Sequence, residues 1–583
     1  MRRWFARETL VHDALAAVIV TVMLIPQSLA YAMLAGLPAE VGLYASMVPL
    51  VVYGLIGTSS TLAVGPVAVL SMMTAAAIAR TAESTGLPAT EIAVILAGLS
   101  GLWLGLLGTL KLGFIANFLS HSVIKGFIVA SGILIAVSQL RHLLGVEAHG
   151  HSLTELVPEL ARAAPEIQPL TAALGAAVLA FFIAVKRWGQ RVLTGIGCPA
   201  FTAELLVKAA PAIAVAVTLA LSAGFGLAGR GVGVVGPVPA GLPTPALPSL
   251  SFDTLALLAV PALMIALVGY VESISVAQTF AARRRESISA NRELLALGAA
   301  NLGAAATGGM PVTGGFSRSA VSFEAGARTQ FAGMLTAAGM AVMTLALAPA
   351  LAPLPKATLA ATIVIAVLSL VDIKSVLTTW RYSRQDGVAT LFTIAVTLLV
   401  GVEAGIVTGV VISLGLHLYR TSVPHVAVVG LVPGTEHFRN VLRHEVTTDP
   451  RVLSVRVDES LYFANAEYLT QKIMGLVAAS PATEHVILQC SAVNEIDASA
   501  LHSLELINHR LKALGIRFHL SEVKGPVMDR LKRTNFLDEL TGQVFLSHYQ
   551  AFEWTSEALA AESQAAGGTA PAMDARAGTN QGR

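Results

Sequence analysis

The sequence has 583 residues, of which 55% are hydrophobic and 13% charged, and its mean hydropathy is +0.70. Because soluble domains carry about 25% charged residues, this composition excludes an ordinary soluble protein and indicates a polytopic membrane protein. The formal net charge of +2 excludes the basic excess of a nucleic-acid-binding protein, and two distant cysteines, Cys198 and Cys490, predict neither a disulfide framework nor a metal site.

Apolar blocks able to cross a hydrocarbon core of about 30 Å recur from residue 12 to residue 421. Asp13 interrupts the first block and no small-residue cleavage site follows it, so we expect a retained helix rather than a cleaved signal peptide. About fourteen spans are predicted, several of them too short to cross alone. They lie near residues 12–35, 41–57, 66–80, 90–110, 118–140, 170–186, 201–227, 253–280, 292–307, 316–325, 329–351, 355–371, 386–401 and 403–421.

Basic residues indicate the orientation, since Lys and Arg concentrate in short cytoplasmic loops. If the N-terminus lies inside, every even-numbered span ends inside. Clusters of Lys and Arg follow the fourth, sixth, eighth and twelfth spans, at Lys111, Lys186, Arg187, Arg191, Arg283, Arg284, Arg285, Lys374, Arg381 and Arg384. We therefore expect both termini in the cytoplasm and the protein in the cytoplasmic (inner) membrane.

The third and tenth spans share an unusual pattern. Residues 61–71, TLAVGPVAVLS, and residues 311–322, PVTGGFSRSAVS, each read as a short extended piece, then Gly, then a half-length helix. Pro66 suits the first helical position, where its missing N–H has no partner to lose. If the fourteen spans form two sets of seven, these spans occupy the third position of each set. This pattern is typical of inverted-repeat transporters, whose broken helices meet at the substrate. Two kinked helices with packing glycines are the alternative.

The tenth span carries an arginine within this interruption. A helix beginning near Phe316 would bring its free backbone N–H groups, the positive end of its dipole and Arg318 together, which predicts an anion site. Charged groups at membrane depth are tolerated where protein or a water-filled cavity surrounds them.

Several motifs in order resemble the sulfate permease (SulP) family of anion transporters. They are IPQSLAYAMLAGLPAEVGLYAS (25–46), LAVGPVAVLSMM (62–73), HSVIKGF (121–127), VESISVAQTFA (271–281), ANRELLALGAANL (290–302) and TGGFSRSA (313–320). The resemblance implies a seven-plus-seven inverted-repeat fold like that of the uracil permeases. It also implies a core domain that moves against a gate domain like an elevator, and a homodimer.

Substrate contacts are expected from both broken helices. Arg318 would compensate the anion's charge, helped by Ser317 and by the amides at the start of the tenth span. Opposing amides would come from the third span, and by resemblance two side chains of the first span border the same cavity. The predicted substrate-binding residues are Gln27, Tyr31, Val67, Ala68, Gly315, Phe316, Ser317 and Arg318.

Glu272 is the candidate for proton coupling, because it is the lone charge in the apolar sequence ALVGYVESISVAQ. Sodium-coupled relatives carry a hydroxyl one turn later, where this chain has Val276; a sodium site is therefore less favoured, although Ser273 and Ser275 are adjacent. No other cofactor is expected. Glu293, at a cytoplasmic helix start, is interpreted as a capping or ion-pair residue.

Sulfate is the favoured substrate, because two helix dipoles and an arginine suit a dianion. Bicarbonate or a dicarboxylate would be stabilised by the same groups, so an exchanger for these anions stays open. A third hypothesis, from another class, is an anion sensor that signals through its soluble tail. An enzyme is not expected, since Asp497 and Ser499 have no recognisable partnered base.

The membrane domain is predicted over residues 1–424, with repeats at about 12–227 and 253–421. Alternating strands and helices over 425–557, including a buried strand at 485–490 and an amphipathic helix at 500–514, resemble the cytoplasmic STAS domain of SulP proteins. Ala498 stands where related regulatory proteins carry a phosphorylated Ser, which makes that regulation doubtful and leaves a STAS-binding partner unknown. Residues 558–583 are predicted to be disordered.

Overall fold

The computed structural model describes residues 7–118, 121–148, 150, 152–237, 241–242, 251–369 and 371–565. The chain forms two units, Met1–Ser413 and Leu414–Arg583. Arg2 and Arg3, which support the expected cytoplasmic N-terminus, lie outside the described residues. The helices up to the end of the apolar region are α1 Arg7–Leu34, α2 Ala39–Tyr44, α3 Val48–Ile56, α4 Ala68–Thr85, α5 Ala89–Thr109, α6 His121–Ser138, α7 Leu140–Leu144, α8 Leu153–Arg162, α9 Pro169–Ala184, α10 Gln190–Gly195, α11 Ala200–Lys208, α12 Ala210–Phe225, α13 Phe252–Arg284, α14 Ala290–Ala306, α15 Phe316–Glu324, α16 Phe331–Leu347, α17 Lys356–Leu368, α18 Ile373–Tyr382, α19 Arg384–Leu399 and α20 Val402–Ser422.

Each of the predicted spans contains at least one of these helices. Helices prevail because only intra-segment hydrogen bonds satisfy the backbone of a single chain segment in hydrocarbon. Among the described residues, eight helical segments are long and apolar enough to cross a membrane. The tenth predicted span is the 9-residue helix α15, which is too short to cross by itself. The third is α4, which begins only after a short strand.

The two extended pieces before α4 and α15 pair with each other. Strand β1, Val64–Gly65, runs antiparallel to β2, Thr313–Gly314. This pairing brings the starts of α4 and α15 together. The prediction that Pro66 occupies the first helical position is wrong: the pairing keeps the chain extended, Val67 continues it with φ −132° and ψ 155°, and helical geometry starts at Ala68.

The second unit is built on a six-stranded sheet in the order β4-β3-β5-β6-β7-β8. Strands β5 to β8 are parallel, and β3 is antiparallel to both of its neighbours. The strands are β3 Val426–Leu431, β4 Phe438–Asn440, β5 Val452–Val457, β6 His485–Gln489, β7 Arg517–Ser521 and β8 Val544–Phe545; the helices are α21 Ala466–Ala479, α22 Ala498–Ala513, α23 Gly525–Leu531, α24 Phe536–Glu539 and α25 His548–Ala565.

Helix α22 begins where the sequence predicted a turn, because the carboxylate of Asp497 caps it by accepting the backbone N–H of Ala500 at 2.8 Å. The predicted disordered tail starts too early. Helix α25 continues to Ala565, since Leu559 is fully buried in the apolar cluster of β3, β5 and β6. Residues 566–583 of that prediction lie outside the described residues.

A buried histidine pair lies beneath α25. Nδ1 of His519 accepts the backbone N–H of Gln543 at 3.0 Å, so the ring proton sits on Nε2, which donates to Nδ1 of His485 at 2.9 Å. The ring of Trp554, on α25, stands 5.7 Å from the His519 ring. Burial, followed by the charges of His485 and Arg517, lowers the pKa of His519 to about 3, and burial also lowers the pKa of His485.

Mild acid is expected to loosen α25. An unfolded histidine takes up a proton near pH 6.5, whereas folded His519 stays neutral down to about pH 3, so its stabilisation is complete above about pH 6.5 and is lost as pH falls toward 3. Hydrogen exchange of residues 548–565 in the full-length protein, corrected for the intrinsic rate, should show an opening free energy that falls by at least about 1.4 kcal/mol per pH unit well below pH 6.5. His548 of α25, whose pKa burial lowers to about 4, adds to the slope. Replacing exposed His502 with Gln should leave this slope unchanged. A pH-independent opening free energy would contradict the expectation.

Candidate anion-binding site

The site begins with two helix N-termini that face each other across the β1–β2 pair. Val67 and Gly315 are the N-cap residues of α4 and α15, and neither provides a side-chain hydrogen bond to its helix. The first N–H groups of a helix have no carbonyl partner within it. Two sets of unpaired donors and the positive ends of two helix dipoles therefore converge, an arrangement that binds anions.

Arg318 adds a full positive charge between the two N-termini. Its side chain is 2% exposed, and Nη1 donates to the carbonyl oxygen of Pro66 at 2.7 Å. Nε and Nη2 are also buried, yet neither has a hydrogen-bond partner in the described part of the chain. Since an unpaired buried donor on a charged group is costly, these two nitrogens are available to donate hydrogen bonds to a ligand oxygen.

Two glycines give the guanidinium its place. A Cβ atom added to Gly315 would lie 3.1 Å from Nη2 of Arg318, and one added to Gly65 would lie 3.4 Å from both Nη atoms. The contact at Gly315 is tight and would require Nη2 to shift by a few tenths of an ångström, whereas the contact at Gly65 is close to ordinary van der Waals distance. Gly65 and Gly315, which have no side chains, thus leave space for the guanidinium group of Arg318 close to the backbone.

Hydroxyl groups fix the strand pair in position. Thr313 Oγ1 donates to the carbonyl of Gly269 at 2.5 Å, and Ser273 Oγ accepts the backbone N–H of Gly314 at 2.7 Å. Next to the other strand, β1, the backbone N–H of Ala63 donates to Oγ of Ser319 on α15 at 3.0 Å. These bonds tie α13 and α15 to the β1–β2 pair, so the dipoles and Arg318 are held in a defined geometry.

A cavity of about 420 Å³ opens in front of this arrangement. Most of the predicted residues line it: Gln27, Tyr31, Val67, Ala68, Glu272, Gly315, Phe316 and Arg318. Ser317 belongs to α15, but its side chain lies outside the described residues. Residues from four helices and two caps, separated by up to 291 positions between Gln27 and Arg318, thus meet at one volume large enough for a small anion.

The hydroxyl of Ser273, next to Glu272 in the chain, is engaged by the N–H of Gly314, which agrees with the less favoured sodium site. Glu293 differs from the sequence interpretation, because among the described residues it caps no helix and has no ion pair. Its fully buried carboxylate accepts hydrogen bonds from Tyr53 Oη at 2.7 Å and from the backbone N–H of Thr58 at 2.7 Å. It joins α14 to α3 and to the segment leading into β1.

The sequence reasoning missed the wall of the cavity formed by α6 and α18. Lys125, Ser369, Asp372 and Ser375 line it. Lys125 carried a usable signal, because it is the lone charged side chain within the apolar helix α6. Asp372 had none, since it reads as an ordinary helix cap and does accept the N–H of Ser375 at 3.1 Å.

Comparison with known proteins identifies the family. The model of the sulfate permease family matches residues 10–397, and the STAS domain model matches residues 443–551. The chain belongs to the sulfate permease family. The resemblance inferred from the motifs is confirmed, and the chain is a multi-pass membrane protein with a C-terminal STAS domain.

Related proteins align over most of the length of this chain. A probable sulfate transporter of Mycobacterium tuberculosis is 34% identical over 92% of this chain and 94% of its own. The chloroplastic sulfate transporter 4.1 of Arabidopsis thaliana is 33% identical over 91% of this chain and 78% of its own.

Solved structures share the fold. Murine Solute Carrier 26 family member A9, an anion transporter, superposes with a TM-score of 0.87 at 22% identity, covering 96% of this chain and 93% of its own. The transmembrane domain of a cyanobacterial bicarbonate transporter has a TM-score of 0.59 at 21% identity, covering 70% of this chain and 98% of its own. The predicted fold class, a helical membrane domain followed by an α/β STAS domain, is confirmed.

Proposed function

We propose that this protein is a secondary active transporter that imports sulfate together with protons. The observation that carries the proposal is the pair of unpartnered, buried guanidinium nitrogens of Arg318 beside two helix N-termini. The guanidinium group and the two helix N-termini each attract both negative charges of a dianion, so all three contribute to its binding free energy. The anion would displace cavity water and take up those donors.

Sulfate is favoured over bicarbonate and dicarboxylates for two reasons. The relatives at 33–34% identity are named sulfate transporters and align along nearly the whole chain. The bicarbonate transporter shares the fold at 21% identity, which carries no substrate assignment. The tetrahedral oxygens of sulfate also suit donors that arrive from opposite sides, from α4 and from α15.

Glu272 is proposed as the group that carries the proton. It lies on the cavity wall that Arg318 also lines, so its protonation and the presence of the anion act on each other through their charges. Import of a dianion against an inside-negative potential costs about 2.3 kcal/mol per charge per 100 mV, and co-transported protons offset that cost. Val276 and the hydrogen-bonded Ser273 make sodium coupling the less favoured arrangement.

Movement is proposed to follow an elevator-type alternating-access mechanism. Helices α1, α4, α13 and α15, which carry the anion-binding residues, pack on one another, whereas α6 packs on α17, α18 and α19. The cavity lies between these two groups, so a displacement of one against the other would expose it to alternate sides of the membrane.

We further propose that the protein forms a homodimer in the cytoplasmic membrane and that both of its termini lie in the cytoplasm. The STAS domain would then be accessible to a cytoplasmic partner.

Uptake into proteoliposomes tests the function. The full-length protein, reconstituted with an inward proton gradient, is expected to accumulate radiolabelled sulfate above the level of empty vesicles, and selenate should compete better than bicarbonate or succinate. A sodium gradient in place of the proton gradient should not drive accumulation. Uptake no greater than in empty vesicles would overturn the sulfate assignment, and preferential competition by bicarbonate or succinate would redirect it to those anions.

A further inference from the structure

Lys125 brings a second cation to the anion cavity. It lies on α6, its side chain is half-buried, and it lines the same cavity as Arg318. Within the described residues, no hydrogen bond or ion pair engages its ammonium group. A lysine in an apolar helix usually extends its amine to the membrane surface, but this side chain faces the cavity instead.

The cavity places Lys125 and Arg318 on different structural elements. Arg318 belongs to α15, which packs on α1 and α13, whereas α6 packs on α17, α18 and α19. The charged residues lining the cavity are Lys125, Glu272, Arg318 and Asp372. Asp372 is held as the cap of α18 through the N–H of Ser375, and it has no ion pair with Lys125 among the described residues.

We propose that Lys125 is a specificity-determining residue that makes the site favour doubly charged anions. The proposal rests on the proposed anion-transport function and adds to it the source of charge selection. Both side chains line the same cavity of about 420 Å³, and charges that are partly buried in a protein are screened less than exposed charges, whose interaction extends over about 8–10 Å at physiological ionic strength. An anion beside Arg318 therefore interacts with the Lys125 charge without touching it.

Charge selection follows from Coulomb's law. The attraction between Lys125 and a bound anion is proportional to the anion's charge. Removing the lysine charge should therefore cost a dianion twice as much binding free energy as a monoanion at the same place. On a logarithmic scale of affinity, the two losses should stand in a ratio of two to one.

The test measures binding of radiolabelled sulfate to the purified full-length protein and its displacement by selenate, a dianion, and by methyl sulfate and bicarbonate, both monoanions. In Lys125→Gln, dianion affinity is expected to fall about tenfold and monoanion affinity about threefold. Lys125→Arg should stay within about twofold of the wild type, because the charge is kept. Lys111→Gln, at an exposed lysine outside the cavity lining, should change nothing.

The outcomes separate the two proposals. Equal losses for both charge classes in Lys125→Gln, or no loss, would overturn the role of Lys125 while leaving sulfate transport standing. If the wild type binds no sulfate, the proposed substrate fails. Succinate, a dianion near neutral pH, would then be compared with bicarbonate in the same variants, and a loss that does not scale with charge would again reject Lys125. Unchanged gel-filtration profiles and melting temperatures would show that the variants fold.

Discussion

Replacing Arg318 with Ala is expected to weaken sulfate binding by at least about 100-fold, the largest effect of any single side chain in the cavity. Each hydrogen bond to a charged group contributes about 1.5–3 kcal/mol, and both Nε and Nη2 are free to make one. The anion would also lose the attraction of a charge held in a low-dielectric setting. Equilibrium binding of radiolabelled sulfate measures the effect directly.

Arg141 offers a matched control for this experiment. Like Arg318, it has a buried Nε with no partner in the described part of the chain, but Arg141 as a whole is only partly buried and does not line the cavity. Arg141→Ala should leave sulfate affinity near that of the wild type, and Arg318→Lys should recover part of it through charge alone. If Arg318→Ala binds sulfate normally, the helix dipoles suffice and the arginine is structural.

The sequence predicted this half of the cavity well because its signals are local. Gly65, Gly315 and Arg318 stand out in apolar surroundings, and interrupted helices in a membrane are tolerated only around a protected site. The matching third and tenth spans then predicted that the interruptions meet. The β1–β2 pairing gives that meeting a concrete geometry, with Val64 opposite Gly314 and Gly65 opposite Thr313.

Pro66 shows where local reasoning failed. Proline favours the first turn of a helix, and the prediction placed it there. In the structure, the carbonyl oxygen of Pro66 accepts a hydrogen bond from Nη1 of Arg318, which lies 252 positions later in the chain. Val64 and Gly65, directly before Pro66, are extended because they pair with β2. The extended backbone continues through Val67, so the helix begins after the proline despite its local preference for a first turn.

Lys125 and Asp372 were missed for a different reason. Lys125 stands out as the lone charge of α6, but the sequence period of α6, and of α18 that Asp372 caps, does not say which face meets α15 across an open space. That relation depends on how the two groups of helices are arranged, and one sequence contains no signal for it. Glu293 is a similar case, since its partners Tyr53 and Thr58 lie 240 and 235 residues earlier.

The cavity combines two kinds of wall, and this difference has a mechanistic consequence. Arg318 and the helix N-termini are fixed by hydrogen bonds to Pro66, Ala63 and Gly269. Lys125 has no such bond among the described residues. A hydrogen-bonded set of donors on one wall and a cation without a fixed partner on the other suit the proposed site, in which one wall moves past the other.

Replacing Glu272 with Gln is expected to abolish proton-driven accumulation of sulfate while leaving sulfate–sulfate exchange measurable. Glutamine keeps the size and polarity of the side chain but cannot take up or release a proton. A gradient of one pH unit sustains about tenfold accumulation for each coupled proton, so the ratio of internal to external sulfate should fall from about tenfold per coupled proton to about one. Exchange persists because the Arg318 donors and both helix N-termini remain.

Proteoliposomes with and without a proton gradient separate the two activities of the Glu272→Gln variant. The control is Glu8→Gln, which changes an exposed carboxylate paired with Arg328 at 2.8 Å and far in sequence from the cavity-lining residues of α13. It should leave both activities unchanged. Gradient-driven accumulation that survives in Glu272→Gln would remove Glu272 from the coupling role, whereas loss of exchange as well would make it a residue needed for anion binding. Because the carboxylate shares the cavity with Arg318, only loss of gradient-driven accumulation with exchange intact identifies Glu272 as the site where the proton enters the transport cycle.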